Sequence, residues 1–236
     1  MFSDFFSGGW RSMSRTQMLV IAGLGALLAY WLLSSGRNFL SPAWLMAATA
    51  IVFIALPLHE FAHAAMAVAL GDNTPRYQGR YTLNPLVHID PMGAILIYVA
   101  GFGWAKPVMW NPANINVSPR VGAVLVAIVG PLTNLALAIV ALILYNTSLA
   151  QSNMMVEEFL YGFAGINVLL FVFNMIPVPP LDGSHVLFAF FPGDTFRLRA
   201  QLAQYGMLII FAVIFFVPGL IQVPTMIIMN VLTSIF

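Results

Sequence analysis

The stretch His59-Glu60-Phe61-Ala62-His63 decides how the rest of the sequence is interpreted. It lies inside an apolar run, Trp44 to Leu70, whose only charged or imidazole-bearing residues are these three. In a helix, two histidines four residues apart project from one face, one turn above the other. That spacing suits two imidazoles binding one zinc ion, with Glu60 beside them as a general base. Ionisable residues are costly inside a membrane-spanning segment, so their presence here indicates a functional site and not a chance match to a short pattern.

Composition places the chain among polytopic membrane proteins. It has 236 residues, of which 61% are hydrophobic and 7% are charged, and its mean hydropathy is +0.91. A soluble domain carries about 25% charged residues. The net charge of +1 gives no reason to expect a nucleic acid partner. The absence of cysteine excludes disulfides and thiolate metal sites, so any metal must be bound by His, Asp or Glu.

Apolar runs of membrane-spanning length predict an all-α protein with about five to six transmembrane helices. The clear runs are Gln17 to Leu33, Ala43 to Leu70, Val121 to Tyr145 and Phe159 to Ile176. Leu202 to Phe236 is interrupted by prolines and is compatible with one long span or two short ones. Pro57, just before His59, predicts a kink in the second helix. We expect one domain over residues 1–236, with a catalytic core at about 43–190.

The run from Gly93 to Ala105 is apolar but short for a span, which favours a re-entrant segment over a short tilted helix. Charge supports the same interpretation. With a cytoplasmic N-terminus and a re-entrant segment, eight of the nine Lys and Arg residues are cytoplasmic and only Arg37 is outside. If 93–105 crossed instead, Arg197 and Arg199 would lie outside.

The same topology provides a third metal ligand. The second and fourth spans both run from outside to inside, so the histidine pair and Asp182 approach similar depths in the cytoplasmic half of the bilayer. Catalytic zinc sites commonly use three protein ligands and leave the fourth position to water. Asp182 alone, in Leu-Asp-Gly, would be interpreted as a turn residue at the membrane surface. Together with His59 and His63 it completes a site for one zinc ion per chain.

Several motifs, in order, resemble the site-2 protease family of intramembrane zinc metalloproteases over about residues 50–190. They are His59-Glu60-Phe61-Ala62-His63, Asn84 to Gly93, Gly101 to Pro107, Gly130-Pro131-Leu132-Thr133-Asn134, and Asn174 to Gly183. The resemblance implies that His59, His63 and Asp182 bind zinc and that Glu60 is the catalytic base. It also implies a re-entrant β-type loop after the zinc-binding helix and cleavage of a substrate's transmembrane segment. No stretch is long and polar enough for a PDZ or CBS domain, so a minimal form is expected.

The remaining polar residues leave alternatives open. Asn174 and Asn134 either bind the substrate backbone or the oxyanion, or form hydrogen bonds between helices. For Asn174 the functional role is favoured slightly, whereas for Asn134 the two are even. His88 is interpreted as a structural turn residue. His185 either orients Asp182 or lies on the surface.

Gly101, Phe102 and Gly103 are predicted to bind substrate. An unwound transmembrane segment would pair with this loop by β-addition. Because glycine permits close backbone approach, valine at both glycines is expected to reduce cleavage while folding and zinc content stay near normal. The expected partners are single-span membrane proteins and the lipid bilayer of the cell membrane. The alternatives are a metal transporter and a non-catalytic scaffold that binds membrane helices.

Overall fold

The described part of the chain is built from helices. The computed structural model describes residues 41–191, 193 and 195–236, together with Gly23 and Gly25. Apart from those two glycines, these residues belong to one compact unit, Asn38–Phe236. The predicted first span, Gln17 to Leu33, otherwise lies outside the described residues. In the part that the structure describes, pairing of extended chain is limited to one isolated β-bridge, so the all-α prediction is confirmed.

The second predicted span is a helix from Pro42 to Ala69 that contains one wider turn. It consists of α1 (Pro42–Ala50), a π-helical segment (Ile51–Ala55) and α2 (Leu56–Ala69). Proline at position 57 has no N–H and its ring crowds the carbonyl four residues earlier, so a regular turn cannot continue through it. The π turn just upstream accommodates this misfit. The irregularity therefore lies one turn before the metal motif, which itself sits in regular α-helix.

Residues 89–105 form a hairpin, one helix and a returning segment, whose two ends lie next to each other. After α3 (Thr74–Tyr77) and a 3₁₀ turn (Pro85–Val87), Asp90 caps α4 (Pro91–Ala100) by accepting hydrogen bonds from the N–H groups of Met92 and Gly93. Gly101, at a φ of 76°, ends the helix. The chain then runs back so that Ala105 forms the β-bridge with Ile89. Both ends of the segment 89–105 thus lie together, as a re-entrant segment requires; its entry into a bilayer stays a prediction.

The expectation that Gly101 and Gly103 tolerate valine is wrong. A Cβ on Gly103 would overlap the carbonyl oxygen of Gly93, and one on Gly93 would overlap that of Trp104. Gly101 has the left-handed conformation that β-branched residues avoid. Gly93 and Gly103 allow helix α4 and the returning segment to pack backbone against backbone, so valine at Gly103 would disturb the hairpin itself.

Helix α5 (Pro119–Tyr145) lies at the centre of the fold and packs against α2, α7 (Met154–Asn174) and α8 (Asp182–Ala189). The short helix α6 (Ser148–Gln151) links α5 to α7. Four described helices are long and apolar enough to cross a membrane: Pro42–Ala69, Pro119–Tyr145, Met154–Asn174 and Arg197–Phe216. The predicted spans at 43–70, 121–145 and 159–176 are thereby confirmed as helices of suitable length.

The C-terminal region forms two helices and not one continuous helix, while the number of spans it makes stays a prediction. Helix α9 (Phe196–Phe216) ends before Pro218, and α10 (Gly219–Ile235) follows immediately. Helix α9 reaches the length of a span, whereas α10 is a shorter apolar helix. Ile210 and Ile214 of α9 pack with Val172 and Phe173 of α7 in one apolar cluster.

Candidate metal centre

Three side chains converge between α2 and the start of α8. His59 Nε2 lies 3.0 Å from His63 Nε2, and these atoms lie 3.3 and 3.4 Å from Asp182 Oδ2. Ligand atoms held tetrahedrally at 2.0–2.1 Å from zinc are about 3.3–3.4 Å apart. The three residues form the one group of His, Asp and Glu side chains in the described residues that is arranged to hold a metal ion. They therefore fit a single zinc ion in spacing and in ligand type.

Both imidazoles are oriented by partners on α5. His63 Nδ1 lies 2.6 Å from the carbonyl oxygen of Val126, and His59 Nδ1 lies 2.6 Å from Oδ1 of Asn134. An oxygen acceptor at Nδ1 places the proton there and leaves the lone pair on Nε2. The two Nε2 atoms therefore face each other as acceptors, an arrangement that is unfavourable without a cation between them.

Asp182 reaches the histidines from the first turn of α8. Its Oδ2 atom is buried and has no hydrogen-bond partner among the described residues. Gly183 allows this approach, because a Cβ there would overlap the carbonyl oxygen of Met175. A buried carboxylate oxygen facing two imidazole lone pairs fits a metal cation by the chemistry of the donor set.

Gly130 of α5 leaves the space that the metal needs. A Cβ at this position would overlap Nε2 of His63 and would lie 2.7 Å from Nε2 of His59. Any side chain larger than hydrogen would therefore occupy the volume next to both ligand atoms. The next residue, Pro131, lies within α5. Because proline is the usual cause of kinks in helices, the position in α5 where a kink is expected lies beside the metal centre.

Glu60 is buried, and its Oε2 atom accepts a hydrogen bond of 2.9 Å from the N–H of Val108. Val108 belongs to the loop that follows the 89–105 hairpin. This contact holds one carboxylate oxygen and leaves Oε1 for proton transfer. The loop after the hairpin therefore positions the residue predicted to act as base.

The residues predicted to bind substrate occupy different surroundings. Asn134 is fully buried behind His59 and also donates to Asn167, whereas Asn174 Nδ2 donates to the carbonyl of Leu170 on its own helix. Gly101 and Gly103 are buried in the hairpin, and Phe102 packs against the α7–α9 cluster. The engagement of both amide atoms of Asn134 favours the interhelical alternative. Substrate binding by these residues stays a prediction.

The two remaining histidines do not belong to the ligand group. His88 is fully buried and its Nε2 lies 2.9 Å from the carbonyl oxygen of Thr82, consistent with a structural role in its turn. The ring of His185 packs beside Trp110 with centroids 6.3 Å apart.

Sequence reasoning missed Val126, Gly130, Val108 and Asn167. A backbone carbonyl or N–H carries no residue-type signal, so Val126 and Val108 could not have been found. Gly130 entered only as the first residue of the Gly130 to Asn134 motif that carries the resemblance, and no role was predicted for it. Asn167 does offer a signal, since it is a polar residue in the middle of the apolar helix α7.

Comparison with known proteins agrees with this geometry. The model of Peptidase family M50 matches residues 144–217. A Bacillus subtilis (strain 168) protein named "Putative zinc metalloprotease YwhC" is 40% identical over 174 residues, covering 71% of this chain and 78% of that protein. The Rip2 protein of Mycobacterium tuberculosis (strain ATCC 25618 / H37Rv), whose name carries the same description, is 28% identical over 172 residues, covering 71% of this chain and 65% of that protein.

The Rip2 protein of Mycolicibacterium smegmatis (strain ATCC 700084 / mc(2)155) is 28% identical over 162 residues, and the chain spans 62% of its length. No solved structure matches the chain. The B. subtilis relative is similar over most of both proteins, and the two histidines and the aspartate converge as a zinc metallopeptidase requires. The chain therefore belongs to peptidase family M50, the site-2 protease family of zinc metallopeptidases, and has the apolar helices of a multi-pass membrane protein.

Proposed function

We propose that this peptidase cleaves a peptide bond within or next to the transmembrane segment of single-span membrane proteins. One observation carries the proposal. His59, Glu60 and His63 are buried in a helix of spanning length and high hydropathy, Pro42–Ala69. A scissile bond has to reach that depth, and in a membrane protein the segment found at that depth is a transmembrane segment.

The chemistry follows from the ligand set and from Glu60. His59, His63 and Asp182 would hold the zinc ion, which would supply Lewis acidity that lowers the pKa of a water molecule and polarises the scissile carbonyl. Glu60 Oε1 takes a proton from the attacking water while Oε2 keeps the hydrogen bond from Val108. The oxygen adds to the carbonyl carbon, the C–N bond breaks, and Glu60 returns its proton to the leaving amine.

The substrate has to be unwound before this reaction, since a helical peptide bond is shielded by its own hydrogen bonds. The segment after Gly101, which lies outside the helices, is the proposed backbone partner for an unwound strand, in the manner of β-addition. It leads directly to Val108, whose N–H holds Glu60, so a strand bound along it would lie close to the base. Asn174 is the proposed side-chain donor to the substrate or to the oxyanion.

Reconstitution in liposomes with single-span substrates tests the proposal. Wild-type protein with zinc should cleave, and mass spectrometry of the products should place the cut within or beside the transmembrane segment. Glu60→Gln is close to isosteric and keeps the acceptor for Val108, so it should retain one zinc ion per chain but cleave at least about a hundredfold more slowly, as loss of a general base predicts.

Three results would overturn the proposal. Cleavage by Glu60→Gln at the wild-type rate would remove Glu60 as the base. Cuts confined to soluble loops would show a metallopeptidase that acts outside the membrane. Zinc flux into the liposomes that survives Glu60→Gln, with no cleavage by wild type, would favour the metal transporter instead.

A further inference from the structure

Behind His59, buried polar groups form a continuous series that ends on α7. Nδ1 of His59 lies 2.6 Å from Oδ1 of Asn134, whose Nδ2 donates over 3.0 Å to Oδ1 of Asn167. Nδ2 of Asn167 in turn donates over 2.9 Å to the carbonyl oxygen of Phe163. Asn134 and Asn167 are fully buried, and His59 is 5% exposed. The series therefore runs from the metal site through α5 into α7 without reaching solvent.

The carbonyl group at the far end of the series fixes which end of each amide side chain faces which neighbour. The Phe163 carbonyl can only accept a hydrogen bond, so the NH₂ group of Asn167 has to face it. Oδ1 of Asn167 then faces Asn134 and requires a donor there, which turns Oδ1 of Asn134 toward His59. An acceptor at that position requires a proton on Nδ1 of His59. The lone pair of His59 is thereby held on Nε2, the atom that faces His63 and Asp182.

His63 needs no comparable support, because its Nδ1 faces the backbone carbonyl of Val126. An amide side chain is different, since it has a donor end and an acceptor end of nearly the same shape. If Asn134 turned round, its NH₂ group would face Nδ1 of His59 and favour the tautomer with the proton on Nε2. That tautomer has no lone pair to offer a metal at this atom. What prevents the turn is the acceptor oxygen of Asn167.

We propose that Asn167 is a positioning residue of the zinc site: through Asn134 it holds His59 in the tautomer that binds metal, although it contacts no metal ligand. The inference rests on the ligand set of the proposed function. Its test measures zinc affinity and needs no substrate, so it can fail while the proposed cleavage stands. Loss of zinc in His59→Ala and Asp182→Ala tests that ligand set separately.

The experiment is a double-mutant cycle on zinc affinity, measured by chelator competition. Asn167→Leu removes the acceptor and frees Asn134 to turn, so we expect zinc to bind about 10- to 100-fold more weakly, as for other groups that orient metal-binding histidines. In an Asn134→Asp background the same substitution should change affinity less than about threefold, because a carboxylate has no donor end to present to His59. Thr133→Val, next to Asn134 on α5, is the matched control and should leave affinity unchanged.

An equal loss in both backgrounds would overturn the proposal, because it would mean that Asn167 acts through packing. Wild-type affinity in Asn167→Leu would overturn it as well. Should the double variant fail to fold, ¹⁵N spectra of histidine-labelled metal-free protein supply the second measurement. The chain has 4 histidines, and His59→Gln identifies the signal of His59. We expect Nδ1–H in wild type and its loss in Asn167→Leu; an unchanged Nδ1–H tautomer would refute the mechanism.

Discussion

At the scale of single residues, the metal centre depends on a missing side chain as much as on its ligands. Gly130 of α5 lies so close to the two Nε2 atoms that a Cβ added to it would overlap Nε2 of His63 and crowd Nε2 of His59. Glycine in a helix interior costs about 1 kcal/mol relative to alanine. The chain accepts this cost at a place where the missing methyl group leaves room for a metal ion.

Gly130→Ala should therefore abolish or strongly weaken zinc binding without loss of folding. The methyl group would occupy the space beside His59 and His63, while alanine favours the helix by up to about 1 kcal/mol. Zinc per chain and the thermal midpoint of the metal-free protein are the measurements. Gly165→Ala is the matched control, since a Cβ on that helical glycine meets nothing within 4 Å. Full zinc occupancy in Gly130→Ala would show that the metal lies elsewhere.

At the scale of elements, the loop between the hairpin and α5 is fastened to the end of α2. Asp72 is fully buried and accepts hydrogen bonds from the backbone of Thr74 and Asn111 and from the side chain of Asn114. Asn116 also donates from its backbone to the carbonyl of Leu70. The same loop contains Val108, which holds Glu60. Asp72 thus ties the far end of this loop to the helix that carries the catalytic motif.

Low pH should weaken the hydrogen bonds by which Asp72 attaches this loop to the end of α2. Burial alone would raise the pKa of Asp72, but the hydrogen bonds from Thr74, Asn111 and Asn114 outweigh it and hold the pKa below its ordinary value. A carboxyl whose pKa is lower in the folded state stabilises fully above its unfolded pKa of about 3.9, and that stabilisation is lost as the pH falls toward the folded pKa. Wild-type stability should therefore decrease below about pH 4 partly through this residue.

Asp72→Asn measures that contribution. The amide removes the charge and turns an N–H group toward donors, so the free energy of unfolding at pH 7 should fall by about 1–3 kcal/mol. The difference in the free energy of unfolding between wild type and Asp72→Asn should become smaller as the pH falls from 5 to 3. Thermal unfolding in detergent across this range is the measurement. Parallel pH curves for the two proteins would show that Asp72 does not titrate with folding.

At the scale of the whole molecule, we propose that the hairpin sets the orientation of every later helix in the membrane. The contact between Ile89 and Ala105 keeps the two ends of this segment together, so α5 begins on the side where α2 ended. With that arrangement, the basic residues of the described part of the chain fall on one side, as the positive-inside preference predicts. They are Arg76, Arg80, Lys106, Arg120, Arg197 and Arg199. We propose that this side is cytoplasmic and that the metal centre lies in the cytoplasmic half of the bilayer.

Single-cysteine labelling tests the orientation without interference, because the chain contains no native cysteine. Ser152→Cys, in the loop between α6 and α7, should react with an impermeant thiol reagent applied from outside intact cells. Gln78→Cys and Arg197→Cys should react only after the membrane is opened. Labelling of Arg197→Cys from outside would mean that residues 93–105 cross the membrane and that the later helices are inverted.

By itself, the sequence determined the class of the protein, most helix positions and the group of metal ligands. These properties depend on hydropathy, helical periodicity and residue chemistry, which are local and survive without coordinates. The spacing of His59 and His63 follows from helix geometry. Asp182 was assigned to the same site because the predicted membrane topology places it at a similar depth. The same local reasoning missed the π turn before Pro57, because the way a helix adapts to proline depends on the packing around it.

Only the tertiary structure decided what surrounds those ligands. The carbonyl of Val126, the empty space at Gly130, the N–H of Val108 and the amide of Asn167 come from different parts of the chain. Their roles depend on distances between helices, and a backbone N–H or carbonyl group is common to nearly all residue types, so the sequence does not reveal its role. The harmful effect of valine at Gly103 was hidden for the same reason, since it comes from the carbonyl of Gly93 in the facing arm of the hairpin.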